Sequence, residues 1–268
     1  MRKNAWVICC CTAVLAAFGT FFRWLQDQVC FEANTGLAVR GSIWPYAVAL
    51  MIVIAAVVLA VVCFRMKNQP HTSFPDSLPA AFIAAPRVRT IGGVVLGALL
   101  AVGGAWLMIS SGTLSSPGLQ RVLAVLAIVT GAAFARQMLA PGDAETTSGA
   151  VVCASMPIVL LAFWLIVSYK VNIINPTISA YAVEILALCA ALIAFYQLAG
   201  FAYGRPKAIK SIFWSQFAAF LCITALPDDR AGAQQLMLAA IAGILVFQSY
   251  LTASNIRPAV SGPVGGAQ

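Results

Sequence analysis

Residues 178–201, ISAYAVEILALCAALIAFYQLAGF, decide how the chain is read. The run is long and apolar enough to cross a bilayer, yet it contains one acidic side chain, Glu184. A carboxylate at that depth is costly unless it is paired, protonated or turned toward water, so Glu184 is the default functional residue. At helical spacing its neighbours are Tyr181, Ala187, Leu188 and Ala191, one aromatic and several small or apolar side chains. Such a face suits contact with other helices rather than with lipid, and it predicts that the carboxylate points into a bundle.

The composition carries this reading to the whole chain. Hydrophobic residues make up 62% of it and charged residues 9%, against roughly 25% charged in an average soluble domain. The lipid bilayer is therefore the expected surroundings. A net charge of +8 does not indicate nucleic acid, because the basic residues are dispersed between apolar runs and form no stripe with interleaved aromatics. Seven of the eight cysteines lie in or at the ends of apolar runs, and only Cys30 falls in a clear loop. In such places cysteine acts as a small buried hydrophobe, and no zinc-type spacing occurs.

Outward from the 178–201 run, the chain divides into eight apolar spans. The first covers 5–22 behind Arg2 and Lys3 and ends at Arg23-Trp24, which favours a first transmembrane helix over a cleaved signal. Residues 29–39 alternate about a turn and predict a small hairpin. Spans follow at 47–64, 91–109, 119–140 and 150–169, the last with Pro157 inside it and a kink expected there. Between Arg65 and Arg89 four prolines and the single histidine, His71, argue against regular structure over most of the loop. After 178–201 come a short span at 211–226 and a final one at about 232–252. Between these two, Pro227-Asp228-Asp229 stops one helix and offers carboxylates to the positive end of the next.

Two spans carry faces with little bulk. Gly93, Gly97, Ala101 and Ala105 recur every four residues in the third, and Ala127, Gly131 and Ala135 do so in the fourth. Close helix contact is the consequence.

Basic residues set the orientation. Arg2, Lys3, Arg65, Lys67, Arg87, Arg89, Arg136, Arg205, Lys207, Lys210 and Arg257 fall on one side, whereas Arg23, Arg40, Arg121, Lys170 and Arg230 fall on the other. The richer side is expected to be cytoplasmic, together with both termini. Tyr46-Ala47-Val48-Ala49-Leu50 and Tyr181-Ala182-Val183-Glu184-Ile185 open the second and sixth spans alike, which raises two parallel four-helix halves, 1–140 and 141–254, followed by a disordered cytoplasmic tail over 255–268.

Chemistry is sparse. No intramembrane histidine, second buried carboxylate, phosphate loop or nucleophile elbow occurs, so no catalytic residue, metal ligand or cofactor is assigned, and the chain reads as non-enzymatic. Gln197, Gln216, Gln248, Ser215, Tyr196 and Thr224 read as hydrogen-bonding groups between helices. Glu184 lies on the same predicted extracytoplasmic side as Arg23, Arg121 and Lys170. Three readings stand: an ion pair with Arg121 or Arg23 that fixes register, a solute-binding or proton-coupled site, or a protonated carboxyl bonded to Tyr181 or an asparagine.

Phe31-Glu32 with Thr35-Gly36-Leu37, and Tyr181-x-x-Glu184-Ile185-Leu186 leading to Ala199-Gly200-Phe201, resemble a group of functionally uncharacterised polytopic membrane proteins of Clostridia-like bacteria. The resemblance covers most of the chain, implies a bacterial cell membrane and brings no activity with it. The expected architecture is an all-α integral membrane bundle of eight transmembrane helices. A small solute near Glu184 is the first candidate partner, and a structural, assembly or sensory role with a protein partner is the alternative.

Overall fold

The structure is a computed structural model that describes residues 2–30, 41–68, 72–75, 77–82, 86–113, 116–139, 148–173 and 178–258. Each apolar run forms a helix, since only intrasegment hydrogen bonds satisfy a backbone that is surrounded by hydrocarbon. In chain order these are α1 (Arg2–Val29), α2 (Trp44–Lys67), the four-residue α3 (Leu78–Ala81), α4 (Pro86–Ser110), α5 (Pro117–Leu139), α6 (Ser148–Asn172), α7 (Ile178–Ala202), α8 (Ala208–Thr224) and α9 (Gly232–Ser254). Seven of them are long and apolar enough to cross a membrane, and α8 is shorter. The chain is a multi-pass membrane protein built as a helical bundle.

From α4 to α9 each helix packs on the next, and α9 returns to α4, which closes a ring of six. The α1–α2 hairpin lies outside that ring against α8, with α1 also touching α9. Packing thus separates α1–α2 from α4–α9, whereas a division at residue 140 falls between α5 and α6, two neighbours in the ring. Burial follows the same plan. On α1, Ala5, Ile8, Thr12, Ala16 and Arg23 are buried at helical spacing, while Trp6, Val7, Val14, Phe18 and Phe21 face outward. Most of α8 is buried, because α1, α2, α7 and α9 all pack against it. Exposed apolar area of this extent would be an association patch in water, but on helices of this length it is the lipid face.

Glycine sets the closest approach. A Cβ on Gly97 would lie 2.5 Å from the Gly131 carbonyl oxygen and 3.1 Å from Ala135 Cβ, and one on Gly131 would meet the Gly97 carbonyl in return. Gly104 meets the Ala124 carbonyl at 2.8 Å, and Gly93 faces Met138. The α4–α5 pair is therefore held at backbone contact along an antiparallel crossing. Ala101 belongs to this seam, its backbone N lying 3.0 Å from a Gly131 Cβ, whereas Ala105 is exposed and Gly104 takes the next contact. The physical reason is drift: a four-residue step overshoots the 3.6-residue turn, so a strict every-fourth stripe rotates off a straight interface. On its other face α4 meets α9, with Gly103 against Met237 and Gly92 against the Phe247 ring.

Several local expectations change. Residues 31–40, most of the predicted hairpin, lie outside the described residues, and α1 stays helical to Val29, where that hairpin was expected to begin. The proline-rich loop is shorter than its composition implies, because α2 runs to Lys67 and α4 starts at Pro86, a residue whose missing N–H costs nothing in a first turn. Within that loop Thr72–Ser73 pairs antiparallel with Arg257–Pro258, and Asn255 Nδ2 donates to the Ala81 carbonyl at 2.7 Å. The start of the expected disordered tail is thereby tied down, and residues 259–268 lie outside the described residues. His71 lies outside them too.

Candidate functional site

One end of the bundle gathers the last turns of α1, the first turns of α7 and the turn between α8 and α9. The small and polar residues of α1 determine this arrangement. Gly19 admits Thr224, whose Oγ1 would lie 2.5 Å from a Cβ there, and Thr20 Oγ1 donates to the Ile223 carbonyl at 3.1 Å. Arg23 follows at helical spacing and is carried over the α8–α9 turn. Backbone bonds from Leu226 N to the Ile223 carbonyl and from Ala225 N to the Leu221 carbonyl tighten that turn. Gln235 Nε2 reaches back to the carbonyls of Leu226 and Asp228 at 3.4 and 3.3 Å.

A five-residue charge network results. Arg23 Nε donates to Asp228 Oδ1 at 2.6 Å and its Nη1 to Gln26 Oε1 at 3.0 Å, while its Nη2 lies 3.8 Å from Asp27 Oδ1. Asp228 Oδ2 accepts from Arg230 Nη2 at 2.7 Å, and the same Nη2 lies 3.6 Å from Glu184 Oε2. The centre is dry and the ends are looser: the Arg23 side chain is 1% exposed, that of Glu184 13% and that of Asp27 24%. A charge as buried as Arg23 persists only when it is paired and hydrogen-bonded, and Asp228 supplies the pairing. Arg230 Nε, Arg230 Nη1 and Asp27 Oδ2 are buried without a hydrogen-bond partner among the described residues. Among the described residues the network therefore leaves two donor nitrogens and one acceptor oxygen without a partner. No family model, curated protein or solved structure matches the chain.

Glu184 does face protein, on the same helix side as fully buried Ala187, Leu188 and Ala191. Its cation differs from the expected one. Glu184 pairs with Arg230, which shares Asp228 with Arg23. Arg121 is exposed, and its Nε donates to Ser111 Oγ at 3.4 Å, at the turn between α4 and α5, instead. Tyr181 is partly buried one turn before Glu184. Asn172 Nδ2 donates to the Ser168 carbonyl at 2.9 Å, within its own helix.

The residues missed by sequence reasoning are Asp27, Asp228 and Arg230. Asp228 was expected to serve the α9 terminus, yet its two oxygens bind two guanidinium groups from different segments. The readable signal was the spacing of Arg23 and Asp27, one helical turn apart, which keeps both on one face if α1 continues past Arg23. Nearby, Gln234 Nε2 donates to Gln120 Oε1 at 3.1 Å and links α9 to α5. Deeper in the bundle Gln216 Nε2 donates to Ser249 Oγ at 3.0 Å and to Cys9 Sγ at 3.4 Å, so this glutamine joins α8 to both α9 and α1.

The interior of the six-helix ring is different in kind. A void of about 10 Å³ lies between Leu100, Thr130, Phe134, Pro157, Leu160 and Ile244. A water molecule needs roughly 10–15 Å³ and several polar partners, so this space is a packing gap in an apolar core.

Proposed function

We propose that this chain is a non-enzymatic multi-pass protein of a bacterial cell membrane, with eight crossings, that binds a small polar solute at the Glu184 end of its bundle. The observation behind this reading is the unfinished charge network. Two guanidinium groups meet three carboxylates, Glu184 is held at 3.6 Å rather than in a short bond, and buried donors on Arg230 and an acceptor on Asp27 have no partner among the described residues. A purely structural lock gains by satisfying such groups, because each buried orphan costs about 1–3 kcal/mol. A solute with both an acceptor and a donor would satisfy them. Among its crossings α8 is the short one, 17 residues or about 26 Å, but it is surrounded by protein and need not match the lipid thickness.

A thermal-shift screen of the purified protein in detergent against small zwitterions, cations and anions tests the reading. One class should raise the melting temperature. Glu184→Gln should remove that shift while changing the solute-free melting temperature little. No stabilising solute, together with a marked loss of solute-free stability in Glu184→Gln, would favour the alternative of a structural or assembly partner. The near-filled apolar centre of the ring is the observation that favours this alternative.

The basic-residue asymmetry supports an orientation in which the Glu184 end is extracytoplasmic and both termini are cytoplasmic. Alkaline phosphatase fused after Ser42 or Asp229 should then be active, and fusions after Lys67 or Lys210 should be silent. The reverse pattern would invert the protein.

A further inference from the structure

We propose that the cleft between α6, α7 and the α7–α8 turn, at the end of the bundle opposite Glu184, binds the phosphodiester headgroup of an anionic phospholipid. The cleft has a volume of about 540 Å³, within the range of roughly 300–1,000 Å³ common for small-ligand sites. Two cations stand at its mouth, Arg205 and Lys207, and among the described residues no carboxylate lines it.

Their position follows from how α7 ends. Gly204 takes a left-handed φ of +69°, and the Arg205 N–H folds back to the Gly200 carbonyl at 2.8 Å, the six-to-one bond of a Schellman cap. Gly200 permits the return, since a Cβ there would lie 3.0 Å from the Arg205 carbonyl oxygen. Pro206 stops α7 from continuing, and Lys207 opens α8 without a side-chain capping bond. Arg205 is thus pinned at the backbone with its side chain exposed, and Lys207 is exposed beside it.

The remaining lining matches the rest of a lipid. Tyr196 on α7 and Tyr203 in the turn just after it both line the cleft and are 65% and 58% exposed, as amphipathic rings at headgroup depth are. Below them Ile158 and Ala199 make an apolar floor, continued by the contact of Ala154 with Ala199 and Ala202 that joins α6 to α7. Cations above, tyrosines between and an apolar floor beneath reproduce the polarity gradient of one phospholipid, and basic pockets between membrane helices take phosphate headgroups. A soluble phosphate would use the cations and leave the floor idle.

Competition between phosphatidylglycerol and phosphatidylcholine for the purified protein, read by native mass spectrometry of the lipid-bound ions, tests this. Phosphatidylglycerol should be retained preferentially. Each cation removed should cost about fivefold, so Arg205→Gln with Lys207→Gln should lose about 25-fold. Arg205→Lys with Lys207→Arg should keep the preference, as should Arg65→Gln with Lys67→Gln, which removes two cations from α2. Equal losses from the two neutralised pairs would overturn the site in favour of diffuse surface charge. Displacement of the lipid by an equal concentration of glycerol phosphate would assign the cleft to a soluble phosphate and overturn the lipid. Should the neutralised pair at 205 and 207 not fold, the wild-type competition decides, and no preference for phosphatidylglycerol overturns the proposal.

Discussion

Gly131→Leu is expected to prevent stable assembly of the bundle, and Gly97→Leu to do the same. At this crossing the two glycines face each other's carbonyls, with the Gly131 oxygen 2.5 Å from where a Gly97 Cβ would stand. The obstacle is backbone, so no rotamer change can relieve it, and the helices must separate along their length. In lipid that separation is expensive, because van der Waals fit rather than apolar burial drives helix association. Overpacking by a single methyl typically costs about 1–3 kcal/mol, which is the expectation for Gly97→Ala. Leucine adds three more carbons at the same point and should exceed it. Leu99→Ala is the comparison: Leu99 is only partly buried, so its truncation should lower the melting temperature in detergent by less. Equal melting of Gly97→Leu and wild type would show that α4 and α5 do not meet in the folded protein as they do here.

That seam was legible in the sequence because small residues at helical spacing have few other uses in an apolar helix. The spans were legible for a similar reason: apolar length alone forces a helix, and the observed α7 (Ile178–Ala202) and α9 (Gly232–Ser254) begin where their apolar runs begin. What could not be read was the order of packing. Apolar helices carry little information about which neighbour they choose, so neither the six-helix ring nor the placement of α1–α2 against α8 follows from composition. The charge network was half visible for a related reason. Glu184 stood out because an apolar run surrounds it, whereas Asp228 and Arg230 looked like ordinary turn residues and Arg23 like an interfacial anchor. A turn residue becomes a core residue only when another helix covers it, and α1 provides that cover through Thr20 and Arg23. Ala105 leaves the packing face because a stripe stepping by whole fours drifts off a helix that turns every 3.6 residues.

Asp228 is where the protein should be least tolerant of a change in charge. Its carboxylate accepts from Arg23 at 2.6 Å and from Arg230 at 2.7 Å, and all three side chains are at most 7% exposed. Asp228→Asn keeps the shape and removes the charge, which leaves two buried guanidinium groups facing each other across an amide. Breaking a buried pair from one side costs about 3–5 kcal/mol, and here the longer contacts to Asp27 at 3.8 Å and Glu184 at 3.6 Å compensate the two guanidinium groups only in part. Glu184→Gln should cost less, about 1 kcal/mol, because its contact is longer and a neighbouring carboxylate still holds Arg230. Thermal melting in detergent should therefore rank Asp228→Asn well below Glu184→Gln and wild type. Adding Arg23→Gln to Asp228→Asn should recover part of the loss, with a coupling of about 0.5–3 kcal/mol, because the second change removes one of the two ions whose short pair the first has broken. High salt should not close the gap, since buried pairs are screened far less than exposed ones. Additive losses for the two changes, or a gap that vanishes in salt, would mean that water reaches Arg23 and that the network is an exposed surface cluster.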